Sequence, residues 1–487
     1  MSTAHPEDLP PLREANASAA TEHGSNRWYL SSAPIVRALV HLCVPMAAAL
    51  IVSAVYNLIN AGVIGAVHNT ALLAAVTLGS PVLGLIMAIG DLFGTGGGSL
   101  ISRLLGASEH DPAKAGEIKR VASFAVLGAF GAGVVMGGAG LLALDPVVSL
   151  LGAEGAAVPA TRAYVGVMLA FLPVFAAAFC LEQIMRSEGA ARQVMIGLVA
   201  STAANLVLDV LFVLVLHWGV AGAALGTGLA NLGVAVYFIL WLHRHSEHVV
   251  VSPRWFTLAP AKPVLGVGAG TLVQSGFLIV TSLVLNNLAS AYGDGPLAAM
   301  GVAVRIAQVP EFLVMGITLG ILPLLAYSYG KGDRHRFAVA LRAAALTVGG
   351  IAGLFLLAGF AFRTQIVEAF ISDPSVLSIG VTILTAQLVA MLANGFTGLL
   401  TSVFQATGQA LAATVTSATH GVLFIPVVLL GNLWFGLGGI IWSLTLTEGS
   451  ALLVGLIMWF TCRRAINRGM SDGTPERGEA VLRGGDE

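Results

Sequence analysis

The chain has 487 residues, of which 56% are hydrophobic and only 10% charged, whereas soluble domains carry roughly 25% charged residues. A formal net charge of -1 argues against nucleic acid as a partner, because phosphates call for a basic face. Cys43, Cys180 and Cys462 stand singly, with no paired spacing, which leaves no basis for a disulfide framework or a cysteine zinc site.

Residues 1–34 are polar, with Pro6, Pro10 and Pro11, and read as a disordered cytoplasmic tail. They lack the basic start, short apolar run and small-residue cleavage site of a secretory signal. Beyond them the solvent must change. No Asp, Glu, Lys or Arg lies between Arg37 and Asp91, or between Lys262 and Asp294, and about 20 apolar residues span a bilayer core.

Breaks at charged, Pro-rich or Gly/Asn-rich points predict six spans at 38–66, 72–102, 119–144, 163–185, 193–216 and 220–242. Six more follow at 263–291, 297–329, 337–362, 378–404, 410–431 and 437–461. The expected fold is therefore an all-α integral membrane protein of about twelve transmembrane helices in two pseudo-symmetric six-helix lobes. Residues 35–243 form the first lobe, 244–260 a cytoplasmic linker, 261–463 the second lobe and 464–487 a cytoplasmic tail. With both termini inside, 21 of the 24 basic residues fall in cytoplasmic segments, as the resistance of basic loops to translocation requires. A bacterial inner membrane is the expected location.

The halves repeat. Leu73-Ala74-Ala75-Val76 matches Leu297-Ala298-Ala299-Met300, and Gly106 matches Gly330, both 224 positions apart. Arg186-Ser187-Glu188-Gly189 aligns with Gln405-Ala406-Thr407-Gly408, and Gly219-Val220-Ala221-Gly222 with Gly436-Leu437-Gly438-Gly439. Units of six helices enter the membrane from the same side and make parallel repeats.

Four stretches carry a family likeness: Tyr56-Asn57-Leu58-Ile59-Asn60 with Gly65; Gly97-Gly98-Ser99-Leu100-Ile101-Ser102-Arg103 with Gly106-Ala107; Arg186 to Gly189 leading to Asn205-Leu206-Val207-Leu208-Asp209; and Gly219 to Ala224 ending in Thr227. In order and spacing the chain resembles the multidrug and toxic compound extrusion (MATE) transporters from Ile35 to about Cys462. That resemblance implies efflux of amphipathic, often cationic compounds in exchange for H+ or Na+, by two lobes rocking around a central cavity. It further implies that Asn205, Asp209 and Thr227 belong to a polar cluster holding the coupling ion. One position departs, since the first-helix motif usually ends in Asp where this chain has Asn60, and an amide neither takes up nor releases a proton near neutral pH.

The residues themselves point the same way. Acids inside a span are functional by default, and Asp209, with Asn205 four residues earlier on the same helix face, is the leading coupling group. The bland alternative is a tie between helices. Asp91 would supply the charge missing at Asn60 if it faced the first helix; as a structural acid it would instead bond Thr95 or backbone. In the second half Glu311, Glu448 and Arg305 stand in apolar surroundings, with Arg305 and Glu448 a possible buried pair. Together with Asn57 and Gln274 they are candidates for the substrate cavity. Glu182 and Arg186 read as a helix-stabilising ion pair, and His243, His245 and His248 as a solvated linker rather than a metal cluster.

No cofactor is expected beyond the coupling H+ or Na+, and the partners are small amphipathic substrates and membrane lipids, the protein acting as a monomer. No nucleophile triad or phosphate loop suggests an enzyme. The competing readings are a flippase for lipid-linked precursors and an ion channel.

Overall fold

A computed structural model describes residues 23–65, 70–155, 157–290, 292, 294–368 and 374–472; the side chains of 57–65, 70–74, 374–375, 471–472 and several positions between 278 and 298 lie outside that description. Every element among the described residues is helical. Lipid offers no hydrogen bonds to backbone, so spanning segments satisfy theirs internally.

The short α1 (Asn26–Ser31) leads into α2 (Ile35–Gly65), α3 (Thr70–Ala107), α4 (Lys114–Leu142), the short α5 (Leu144–Leu150), α6 (Ala157–Ala170), α7 (Leu172–Ser187), α8 (Ala191–Asp209) and α9 (Gly219–His245). The second half comprises α10 (Ala261–Ser290), α11 (Asp294–Lys331), α12 (Arg334–Glu368), α13 (Pro374–Ala406), α14 (Ala410–Phe435) and α15 (Leu437–Asp472). Ten of these helices are individually long and apolar enough to cross a membrane, and α6 with α7 forms an eleventh, broken span. α10 is comparable in character, 30 residues whose one charged side chain is Lys262. Leucines such as Leu346, Leu354 and Leu357 stand exposed on α12, as a lipid-facing surface requires.

Three elements depart from the sequence reading. α1 forms inside the segment expected to be a tail, because Trp28, Leu30 and Ser31 are buried and the Ser25 side chain caps the Trp28 amide. The fourth span, expected to be continuous, bends by 54° between α6 and α7. Pro173 sits in the first turn of α7; it brings no N–H, and in a continuous helix its ring would crowd the carbonyl of Leu169. The fifth span changes character just after Asp209, where Val210–Val215 winds as π-helix.

Backbone geometry bears out the internal repeat. Gly189 and Gly408 follow equivalent helices with φ of 79° and 74°, and Gly219 and Gly436 stand at the start of the last helix of each half, both with φ of 58°. These left-handed conformations suit glycine, which has no Cβ to collide with the backbone.

The lobes meet where small residues let backbones touch. A Cβ at Gly106 would overlap the Tyr327 carbonyl, and one at Gly330 would overlap the Arg103 carbonyl; the two contacts interchange under the 224-residue repeat. Gly96 against Val264 and Gly268 against Leu92 join α3 to α10. Gly316 faces Ala47, and a Cβ at Gly320 would lie 2.7 Å from the Cys43 Cα, which makes the equivalent junction of α2 with α11. All these contacts lie in the half of the bundle that bears α1 and the last turns of α15. Polar ties join them there, with Lys331 Nζ 2.6 Å from Glu109 Oε2 and the Tyr327 hydroxyl donating to the same carboxylate.

Gly330→Ala should therefore force backbone against backbone where neither side can yield. Overpacking of this kind costs about 1–3 kcal/mol, so thermal unfolding in detergent should show a lower midpoint, and an unchanged midpoint would contradict the close approach.

Candidate functional site

In the first lobe, four helices bring polar groups to one point. Asn205 and Asp209 lie one turn apart near the end of α8 and are 5% and 1% exposed. The Asn205 amide donates to Asp209 Oδ1 at 3.3 Å and to Thr227 Oγ1 on α9, also at 3.3 Å. Thr227 accepts that bond because its own hydroxyl proton goes to the Ala223 carbonyl, 3.0 Å away. From α2 the Tyr56 hydroxyl reaches both partners, in contact with Asn205 Oδ1 and 3.2 Å from Asp209 Oδ2. Tyr164 of α6, 9% exposed, lies within electrostatic reach of the same carboxylate.

Gly226 makes room for this arrangement. A Cβ there would lie 2.9 Å from Asp209 Oδ1, so α9 approaches the carboxylate with bare backbone. The π-helical turn begins one residue later, and such turns are often found at functional sites because they loosen the helical ladder locally. The result is a set of oxygens, two from Asp209 and one each from Asn205, Thr227 and Tyr56, in a nearly closed space. Oxygen donors with one net negative charge suit either a proton on the carboxylate or a hard monovalent cation.

Asn205, Asp209 and Thr227 thus come together, and Tyr56 joins them although sequence reasoning valued it only as part of a motif. Its signal was a hydroxyl one helical turn before Asn60. The side chains of Asn57 and Asn60 lie outside the described residues. Asp91 does not join the cluster. Its carboxylate accepts from Gln183 Nε2 of α7 at 2.8 Å, and the charges acting nearest it include Arg186 and Glu182. The reason is helix order in space, since α3 packs its glycine-rich face on α7, where Gly94 and Gly98 admit Gln183. Its partner is accordingly Gln183 and not Thr95. Glu182 and Arg186 pair at 3.5 Å as the four-residue spacing implied.

In the second lobe the supposed pairing of Arg305 with Glu448 is replaced by another. Arg305 is exposed on α11, whereas Glu448 of α15, 8% exposed, places Oε1 3.1 Å from His420 Nδ1 on α14. Its Oε2 is buried without a hydrogen-bond partner among the described residues. Glu311, an accessible side chain on α11, lies within electrostatic reach of Glu448, so two acids and a histidine face a common space. His420 was missed, and its signal was a single imidazole within an apolar span. Gln274 is exposed on α10. His243 and His245 are exposed at the end of α9, and among the described residues no three His, Cys, Asp or Glu side chains converge as a metal site.

The comparisons with known proteins bear on the fold and the lineage. The family model described as MatE matches twice, over residues 45–211 and 270–430. The multidrug export protein MepA of Staphylococcus aureus (strain MRSA252) is 32% identical over 440 residues, covering 90% of this chain and 96% of the relative. Among solved structures, an outward-facing conformation of a multidrug resistance MATE family transporter of the MOP superfamily superposes with a TM-score of 0.81 at 22% identity, over 91% of this chain and 98% of the other. A MATE protein in the bent conformation gives 0.82 at 22% identity, over 92% and 99%. At such identities the structures speak for the fold, while the doubled model match and the long relative decide the lineage: this chain belongs to the MATE family of membrane transporters.

Proposed function

We propose that the protein is a secondary active multidrug exporter that moves amphipathic, often cationic compounds out of the cytoplasm in exchange for H+ or Na+, by alternating access between its two lobes. The observation that carries this reading is Asp209, a carboxylate 1% exposed that reaches across three helices to Asn205, Tyr56 and the bare backbone of Gly226. The relative named as a multidrug export protein supports the cargo class.

A buried acid of this kind has two states that fit different surroundings. As an anion, Asp209 accepts from Tyr56 and Asn205 and ties α2, α8 and α9 together. With a proton or a sodium ion bound, those donors must turn elsewhere, and the helices that present them favour a different packing. The coupling ion then shifts the balance of conformations by as much as it prefers one of them. Because Asn60 replaces the usual acid of the first helix, Asp209 is the one carboxylate of this cluster among the described residues, which points to a single charge transferred there.

Glu311 and Glu448 would receive the cationic part of a substrate in the second lobe, with His420 holding one oxygen of Glu448 in place. Membrane lipids surround the apolar outer faces, and the protein acts as a monomer in the inner membrane. With both termini cytoplasmic, the glycine-packed closed end is the cytoplasmic one, and the conformation is outward-facing.

Purified protein in liposomes tests this directly. Under imposed pH and sodium gradients, applied separately, Asp209→Asn should lose gradient-driven export while retaining substrate counterflow without a gradient; unchanged driven export would remove Asp209 from the mechanism. Tyr56→Phe removes a donor to a charged acceptor, a bond worth about 1.5–3 kcal/mol. It should weaken coupling roughly tenfold or more at a fixed substrate KM, read from initial rates at varied gradient.

A further inference from the structure

At the closed end, α1 lies across both lobes, and its contacts divide between them. On the first lobe and its linker, Arg27 Nη1 donates to His248 Nε2 at 2.9 Å and Nη2 to Ser108 Oγ at 3.3 Å. Burial, then the neighbouring charges of Arg27 and Lys119, hold the His248 imidazole below its ordinary pKa against the pull of Glu247, so the ring is neutral and its nitrogen accepts. Arg27 also attracts Glu188, whose carboxyl burial pushes up to about 7 and which the Ser246 hydroxyl bonds from the linker. The Asn26 carbonyl sits against Gly189, where a Cβ would lie 2.9 Å away, and Tyr29 stacks on His41 of α2 with ring centroids 3.7 Å apart.

The second lobe grips the other side of the same element. The charge of Arg27 lies within electrostatic reach of the Tyr327 hydroxyl of α11, which donates to Glu109. Arg336 of α12 spends its guanidinium on three carbonyls at the end of α1: Nε on Leu30 at 2.9 Å, Nη1 on Ala33 at 2.8 Å and Nη2 on Tyr29 at 2.9 Å. These are carbonyls that a helix end leaves without partners of its own, and a cation there suits the negative end of the helix.

We propose that α1 is an interlobe latch: Arg27 and Arg336 clamp it across the two lobes and hold this end of the transporter shut, and one set of contacts must release each time the end opens. The inference rests on the alternating-access reading. Rigid movement of one lobe away from the other cannot keep Ser108 and His248 on Arg27 together with Arg336 on the carbonyls of α1, since each bond is about 3 Å long and fails within a further ångström. Glu109 of the Lys331–Glu109 pair lies within electrostatic reach of Arg336, so the latch and that pair part in the same movement.

The native cysteines report on it. Cys43 of α2 is 5% exposed and packs across the lobe boundary, with Sγ 3.6 Å from the Ile317 carbonyl of α11. Cys180 is fully buried inside the first lobe, against Gly94 of α3. In full-length protein carrying Cys462→Ser, reconstituted in liposomes, modification of each cysteine by a small maleimide is followed by mass spectrometry.

Losing one charge-assisted hydrogen bond shifts an equilibrium about tenfold or more, so Arg27→Ala and Arg336→Ala should each speed Cys43 modification by that factor and leave Cys180 protected. Arg27→Lys should fall between. A Cys43 rate equal to that of the parent in both variants overturns the latch, as does a parallel rise at Cys180, which would assign α1 to the fold of one lobe. If Cys43 in the parent stays unmodified even with substrate and gradient present, alternating access itself fails and the latch with it.

Discussion

Two six-helix lobes in lipid have no hydrophobic reason to adhere to each other, because lipid tails are as apolar as leucine. What joins them here is backbone laid on backbone at glycines, Gly106 on Tyr327 and Gly330 on Arg103, with the α2–α11 and α3–α10 crossings beside them. Such contacts are strong only when complete, since dispersion falls steeply over a fraction of an ångström. An interface of that kind favours two discrete states, closed or parted, over a graded range between them. The polar ties of Glu109, Lys331 and Tyr327 join the lobes beside these contacts.

Against that background the buried polar groups fall into two unlike sites. The first lobe holds one acid among neutral oxygens, contributed by helices that touch through Gly226 and bordered by a π-helical turn. The second holds Glu448 with His420 and a nearby Glu311, one carboxylate oxygen lacking a partner. Both halves kept the helix plan of their common ancestor, including paired glycines with matching φ, while their charges diverged. A duplicated scaffold therefore carries a lone acid among neutral oxygens in one lobe and an acid–histidine group in the other. Neither site is made of a single helix, so each responds to how its lobe is packed.

Asp91 shows how close an ionisable residue can lie to a site without belonging to it. It is half-buried in the same lobe as Asp209, yet Gly94 and Gly98 draw α3 against α7, and Gln183 satisfies it there. The acid fills a hydrogen-bonding need of a glycine-rich helix junction. Its neighbours Glu182 and Arg186 are already paired, and the group as a whole ties α3 to α7.

The linear pattern of the chain was enough to establish the spans, the duplication, the two-lobed plan and the proximity of Asn205 to Asp209, because these follow from hydropathy, from repeat spacing and from one turn of helix, all of which are local. It also pointed to Thr227 through a motif. Only the tertiary structure decided that Tyr56 completes that cluster, that Glu448 meets His420 in place of Arg305, that Asp91 turns to Gln183, and that a short helix from the supposed tail bridges both lobes. Each of those depends on which helix faces which and at what rotation, and side chains brought together from distant parts of the chain leave no period or spacing by which to read them.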